Sequence, residues 1–230
     1  MNNIYTFGDG FAVGHIWPEW PQILQALLPD AQIVNTAAVG AGPEWLVHKF
    51  VQILPKNSIV IFQWPQADRF DKVLENQHWS ALADTDSTYS FNQHDGWWLT
   101  SASKTTEVRE YHTRFVQRKQ HLMRLETYKE LVKHTLENNN CRYLFTSTQE
   151  QSTYARKFPK NIRLNQTQPS PIVHYNWLID YVIPAVGIEI KQSRSDLLKN
   201  LILQQSWEPF YYDRTKVWGD LLEELNIVDT

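Results

Sequence analysis

The sequence predicts an α/β fold in which helices wind onto both faces of a parallel sheet. Three observations predict it. A short apolar run at residues 4–7 stops at Gly8, Asp9 and Gly10 and gives way to helical spacing. A second apolar stretch, Gln32–Asn35, leads through a small-residue loop into another helical pattern. The run at 58–64 is continuously apolar and rich in β-branched residues, as a central parallel strand is. Strand, helix, strand, helix, strand is the start of a doubly wound layer fold, because crossovers between parallel strands are right-handed.

Taken in order, the first strand ends in a turn with three glycines, Gly8, Gly10 and Gly14. Glycine lets a backbone take positive φ or approach a ligand closely. In open α/β sheets such turns lie at the carboxyl ends of the strands, where ligands bind. Residues 18–28 then place Trp20, Ile23, Leu24, Leu27 and Leu28 on one helical face. After Gln32–Asn35 comes the loop 36–42, again of small residues. Pro43 opens the next helix, whose apolar face is Trp45, Leu46, Phe50, Val51 and Leu54.

From 72 to 103 the periodicity fades into Asp, Ser, Asn and His with Trp79, Trp97 and Trp98 among them. This reads as an insertion at the ligand-binding edge, since loops of this length are usually functional or mobile. Residues 105–139 carry apolar residues every three to four positions and predict one long helix or two collinear ones. Its charged residues, among them Arg109, Arg118, Arg124 and Lys129, read as a solvated face. Arg142–Ser147 is the fourth strand, 149–164 a polar excursion at the site edge, and 170–186 a helix. Two amphipathic helices, 195–204 and 216–225, close the chain around an aromatic link at 207–212. The whole is expected to be one domain over 1–230, with helices extending it from about 188 onward.

The 230 residues are 42% hydrophobic and 20% charged, enough apolar material for a sizeable core. A net charge of −3 speaks against a nucleic-acid surface. The single cysteine, Cys141, rules out a disulfide framework or a thiolate cluster. No signal peptide precedes Ile4 and no apolar run nears the roughly 20 residues of a membrane span, so a cytoplasmic protein without membrane contact is expected. None of the histidines shows metal-ligand spacing such as H-x-x-x-H, and neither metal nor cofactor is expected.

Residues 4–71 resemble the opening of SGNH (GDSL-type) hydrolases, including a phage-type subgroup through Arg69 and Phe70. The resemblance implies a flavodoxin-like three-layer α/β/α sandwich and esterase or acetylhydrolase chemistry. The family's Gly-Asp-Ser turn looks like Gly8, Asp9 and Gly10. Its glycine loop after the second strand matches 35–42, with Gly40 as the key position. Its third block falls on Gln63 to Gln66. Its last block, Asp-x-x-His-Pro continuing to a second His and a Trp, resembles 165–171 with His174 and Trp177, or alternatively 213–218.

The departures from the family pattern decide the functional reading. In the family a serine attacks an ester carbonyl, and a histidine oriented by an aspartate takes its proton. Here the nucleophile position is Gly10, the base position Gln168 and the orienting position Asn165. The oxyanion-binding Asn is represented only by Gln63 or Gln66. Asp9 and His15 are the substitutes at hand for a non-serine hydrolysis. Their plainer roles are tying the turn and packing near Trp17. His174 likewise reads as a packed helix histidine beside its alternative as a ligand group.

The expectation is a catalytically degenerate SGNH-like binding or structural module, carbohydrate-recognising and of virion location if phage-encoded. Asp9, Gly10, Gly40, Gln63, Gln66, Trp98 and His174 are its candidate ligand-binding residues. Its expected partners are a carbohydrate or acylated glycan, or other subunits of an assembly meeting the aromatic link at 207–212. The alternative is an active ester hydrolase with a non-standard nucleophile. Trp17, Trp20, Trp45 and Trp177 read as core, and Trp97 and Trp98 as either staples for the insertion or a stacking surface.

Overall fold

The structure is a computed structural model that describes residues 3–13, 19–38, 40–66, 69, 71–73, 93–94, 97–99, 118–157, 169–190, 192–194, 196, 197 and 199. Its centre is a four-stranded sheet of β1 (Asn3–Phe7), β2 (Gln32–Asn35), β3 (Ile59–Trp64) and β7 (Arg142–Ser147). The order across the sheet is β2-β1-β3-β7 and all three pairings are parallel. This is the flavodoxin-like order, in which the chain first moves one way from β1 and then crosses to the other side.

The two-residue period of each strand sorts side chains between two helical layers. On one face Ile4, Ile59 and Ile61 pack with α1 (Trp20–Leu27) and α5 (Pro171–Trp177). On the other Phe7, Val60, Phe62 and Trp64 pack with α2 (Pro43–Ile53) and α3 (Arg118–Asn138). The second face is largely aromatic. Phe62 stacks on Phe7 at 4.9 Å and on Trp64 at 4.2 Å, and Phe145 meets both Phe62 and Trp64 edge-on. All six positions of β3 are buried, as the continuous apolar run predicts.

Sequence chemistry sets the helix ends. Gln22 accepts a hydrogen bond from the Glu19 backbone while the Glu19 side chain accepts one from the Gln22 backbone, a reciprocal cap on α1. Pro43 stands in the first turn of α2, where its missing N–H costs nothing. The predicted helix at 170–186 has a break: after α5 the turn widens to a π-helix over Leu178–Val182, then Ile183–Ala185 finishes it. The cause is Pro184. Its ring would clash with the carbonyl four residues back, and Ile183 bonds five residues back to Leu178 immediately before it.

Two expectations change. The stretch after β3 carries a small antiparallel sheet of β4 (Asp71–Val73), β6 (Trp97–Leu99) and β5 (Gln93–His94), in that order. The polar segment after β7 is helical over α4 (Thr148–Ala155), not an irregular excursion. Ser147 caps α4 by accepting from the Glu150 N–H. The Ser-Thr-Gln-Glu run at 147–150 is the capping signal that polarity concealed. Of the long helix expected over 105–139, α3 covers the second part. The first part, the helix at 216–225 and the aromatic link at 207–212 lie outside the described residues. No helix among the described residues is long and apolar enough to cross a membrane.

Candidate functional site

The carboxyl ends of β1, β2 and β3 bring the first two predicted blocks together. The turn after β1 is a short 3-10 helix, Gly10–Ala12, closed by the Ala12 N–H donating to the Asp9 carbonyl at 2.9 Å. The loop after β2 is strapped to it. Asn35 donates from Nδ2 to the Ala12 carbonyl at 2.7 Å and accepts from the Thr6 hydroxyl, and the Ala38 N–H donates to the Gly8 carbonyl at 3.2 Å. Thr6 is buried in the strand as expected.

The glycines here differ in what holds them. Gly40 has φ of 84°, which only glycine takes easily. Gly8 is pinned by space: a Cβ there would stand 2.8 Å from the Ala12 Cβ and 3.2 Å from Gln63 Oε1. Gly10 is constrained by neither. Its φ is not in the left-handed region, and a Cβ would meet nothing within 4 Å. Among the described residues, the position that resembles the nucleophile position therefore has room for a side chain.

Asp9 is fully buried, and its Oδ2 accepts from Arg69 Nη1 at 2.5 Å. It ties the turn to the segment after β3, and its carboxylate is not exposed as a nucleophile would be. Arg69 is itself held twice. Its carbonyl accepts from Arg124 Nη2 at 2.8 Å, and Arg124 pairs through Nη1 with Glu44 at 3.0 Å.

Beneath the turn lies a buried polar circuit that the sequence did not reveal as one. Trp20 Nε1 donates to Gln63 Oε1 at 3.1 Å, and Gln63 Nε2 donates to Gln151 Oε1 at 2.7 Å. Gln151 Nε2 lies 2.8 Å from His174 Nδ1, and His174 Nε2 lies against Glu19 Oε2. Gln63, Gln151 and His174 are fully buried, and Glu19 is 1% exposed. An indole can only donate, which fixes the amide orientation of Gln63 and through it that of Gln151. Gln151 thus presents N–H to His174, so Nδ1 accepts and the ring proton sits on Nε2, facing the carboxylate. Burial pushes the Glu19 carboxyl up from its ordinary 4.5. His174 opposes that shift and the nearby Asp9 charge adds to it.

The circuit relocates two candidate ligand residues. Gln63 and His174 are fully buried and turn hydrogen-bonding groups to Trp20, Gln151 and Glu19 inside the protein. Gln66 is exposed, and its carbonyl accepts from the Arg69 N–H. Trp98 lies on β6 opposite Lys72 and Gln93, and its side chain is outside the described residues. Trp20, Trp45 and Trp177 are core, and Trp64 joins them. His15, Trp17, Asn165 and Gln168 are outside the described residues, as is 213–218. Asp9, Gly10, Gly40 and Arg69 are what the fold assembles at the strand ends. Gln151, in the segment read as a polar excursion, is the site-layer residue that sequence reasoning missed. Among the described residues no group of three or more His, Cys, Asp or Glu side chains is placed to hold a metal.

No family model and no curated protein matches the chain. Among solved structures it is similar to a crystal structure of protein YxiM from Bacillus subtilis, at 11% identity and a TM-score of 0.34. The match covers 97% of this chain and 54% of that one, so this chain spans about half the length of that protein.

Proposed function

We propose that this chain is an SGNH-hydrolase-like binding module that keeps the strand-end turns and has lost the reaction, with a carbohydrate or acylated glycan as its ligand. The observation that carries this reading is Gly10. Neither backbone conformation nor packing against the described residues demands glycine there, yet the position that resembles the family's nucleophile position has no side chain. Two described residues beside it are equally ill-suited to acyl transfer. Asp9 is buried under Arg69, and the lone pair of His174 Nδ1 is occupied by the Gln151 amide. A general base must offer that lone pair to the group it deprotonates.

The test is hydrolysis of a small acetyl ester by the wild type beside a Gly10→Ser, Asn165→Asp, Gln168→His variant, purified in parallel. A silent wild type and slow turnover by the triple variant are expected. Wild-type turnover that disappears in His15→Ala would overturn the reading in favour of a hydrolase with a different reactive group.

A further inference from the structure

We infer that Arg69 is the anchor of a carboxylate-binding subsite, so that the ligand of these strand-end turns carries a carboxylate. The inference rests on the binding-module reading and deepens it by naming the ligand's chemical class. A guanidinium presents its five N–H donors along fixed edges. In Arg69 the Nη1 end is consumed by Asp9, while Nε and Nη2 donate to nothing among the described residues, and the side chain is 22% exposed. The unused Nε and Nη2 N–H bonds run parallel along one edge, the geometry that donates to both oxygens of one carboxylate at once.

That edge is immobilised before any ligand arrives. Asp9 fixes the head group and Arg124 fixes the Arg69 carbonyl. Arg124 is in turn fixed by Glu44 and by His121 Nδ1, 2.9 Å from its Nη2. Preorganisation of this kind spares the side-chain entropy that binding would otherwise consume. The residue following Asp9 is Gly10, where an added Cβ would meet nothing within 4 Å among the described residues.

Charge selects among anions. Among the described residues Arg69 is balanced by Asp9 and Arg124 by Glu44, so these residues offer directed donors without a surplus of positive charge. A singly charged carboxylate fits such a fork. A phosphate dianion would need net positive charge that these two ion pairs do not supply.

The experiment is an NMR titration of the full chain, following the Arg69 Nε–H resonance, with glucuronate, N-acetylalanine, glucose and inorganic phosphate as probes. Saturable shifts with a carboxylate and none with glucose are expected. Glucuronate acting alone would assign the carboxylate to an acidic saccharide, and N-acetylalanine acting alone to a peptide-like ligand. Arg69→Lys keeps the charge but loses the fork, and should weaken binding about tenfold or more. Gly10→Leu leaves the Asp9 pair intact while filling the open space, and should block binding in a chain whose folding is unaltered. Phosphate binding more tightly than both carboxylates, or full affinity in Arg69→Lys, would overturn the inference. The ester assay separates the two readings: wild-type turnover with carboxylate binding sinks only the loss of catalysis. A silent wild type without carboxylate binding sinks only the subsite.

Discussion

Glycines two residues apart in one turn differ in what they demand of the chain, and single substitutions should separate them. Gly8→Ala drives a Cβ to 2.8 Å from Ala12 and toward Gln63, an overpacking that should cost about 1–3 kcal/mol in urea denaturation. Gly10→Ala meets open space at an ordinary φ. Restricting the unfolded chain should make it neutral or stabilising by up to about 1 kcal/mol. Equal losses at both positions would show that the turn is strained in a way that the free space at residue 10 does not express. Asp9 is a further case, a residue whose task of tying the turn was legible and whose partner was not. Its position in the turn follows from the sequence, but its partner Arg69 is sixty residues away and only the fold brings them together.

At the level of elements, the four strands of the main sheet followed from local pattern, because apolar runs and small-residue turns record burial directly, whereas their flavodoxin-like order was implied only by the family resemblance. What pattern could not supply were elements whose sequence is polar for internal reasons. Helix α4 carries Thr, Gln, Glu, Gln, Ser and Thr, and reads as loop until the Ser147 cap is noticed. Removing that cap with Ser147→Ala should cost about 1 kcal/mol in stability, seen as a lowered unfolding midpoint. The π turn is a second instance. The helical period of 170–186 is visible, but its widening depends on one proline and on the carbonyl that the ring must avoid. The candidate site was legible to the same degree. The turn after β1 and the loop after β2 are written in glycines and small residues, whereas Gln63 and His174 turned inward because buried partners lay on other elements.

For the molecule as a whole, the buried carboxyl of Glu19 sets a dependence on pH. A carboxyl whose folded-state pKa is raised keeps its proton longer in the folded than in the unfolded chain. Its contribution to stability is fully present below the ordinary value of 4.5 and is lost as pH rises through the folded value. Glu19→Gln removes that loss. The melting temperature of the wild type relative to Glu19→Gln should therefore fall as pH is raised from 4 toward 8, and a constant difference across the range would refute the assignment to Glu19.

The polar circuit beginning at Trp20 and ending at Glu19 starts and finishes on adjacent residues, so it is a ring closed through the backbone of one helix start. Its donors and acceptors run in one sense only, because the indole cannot accept. Reversing any one link would set two donors or two acceptors face to face somewhere else in the ring. The five side chains therefore form one unit of heredity. Exchanging any one of them alone for an apolar residue leaves a buried donor or acceptor of its neighbour unpaired, so replacement by apolar residues is favoured only when the members change together.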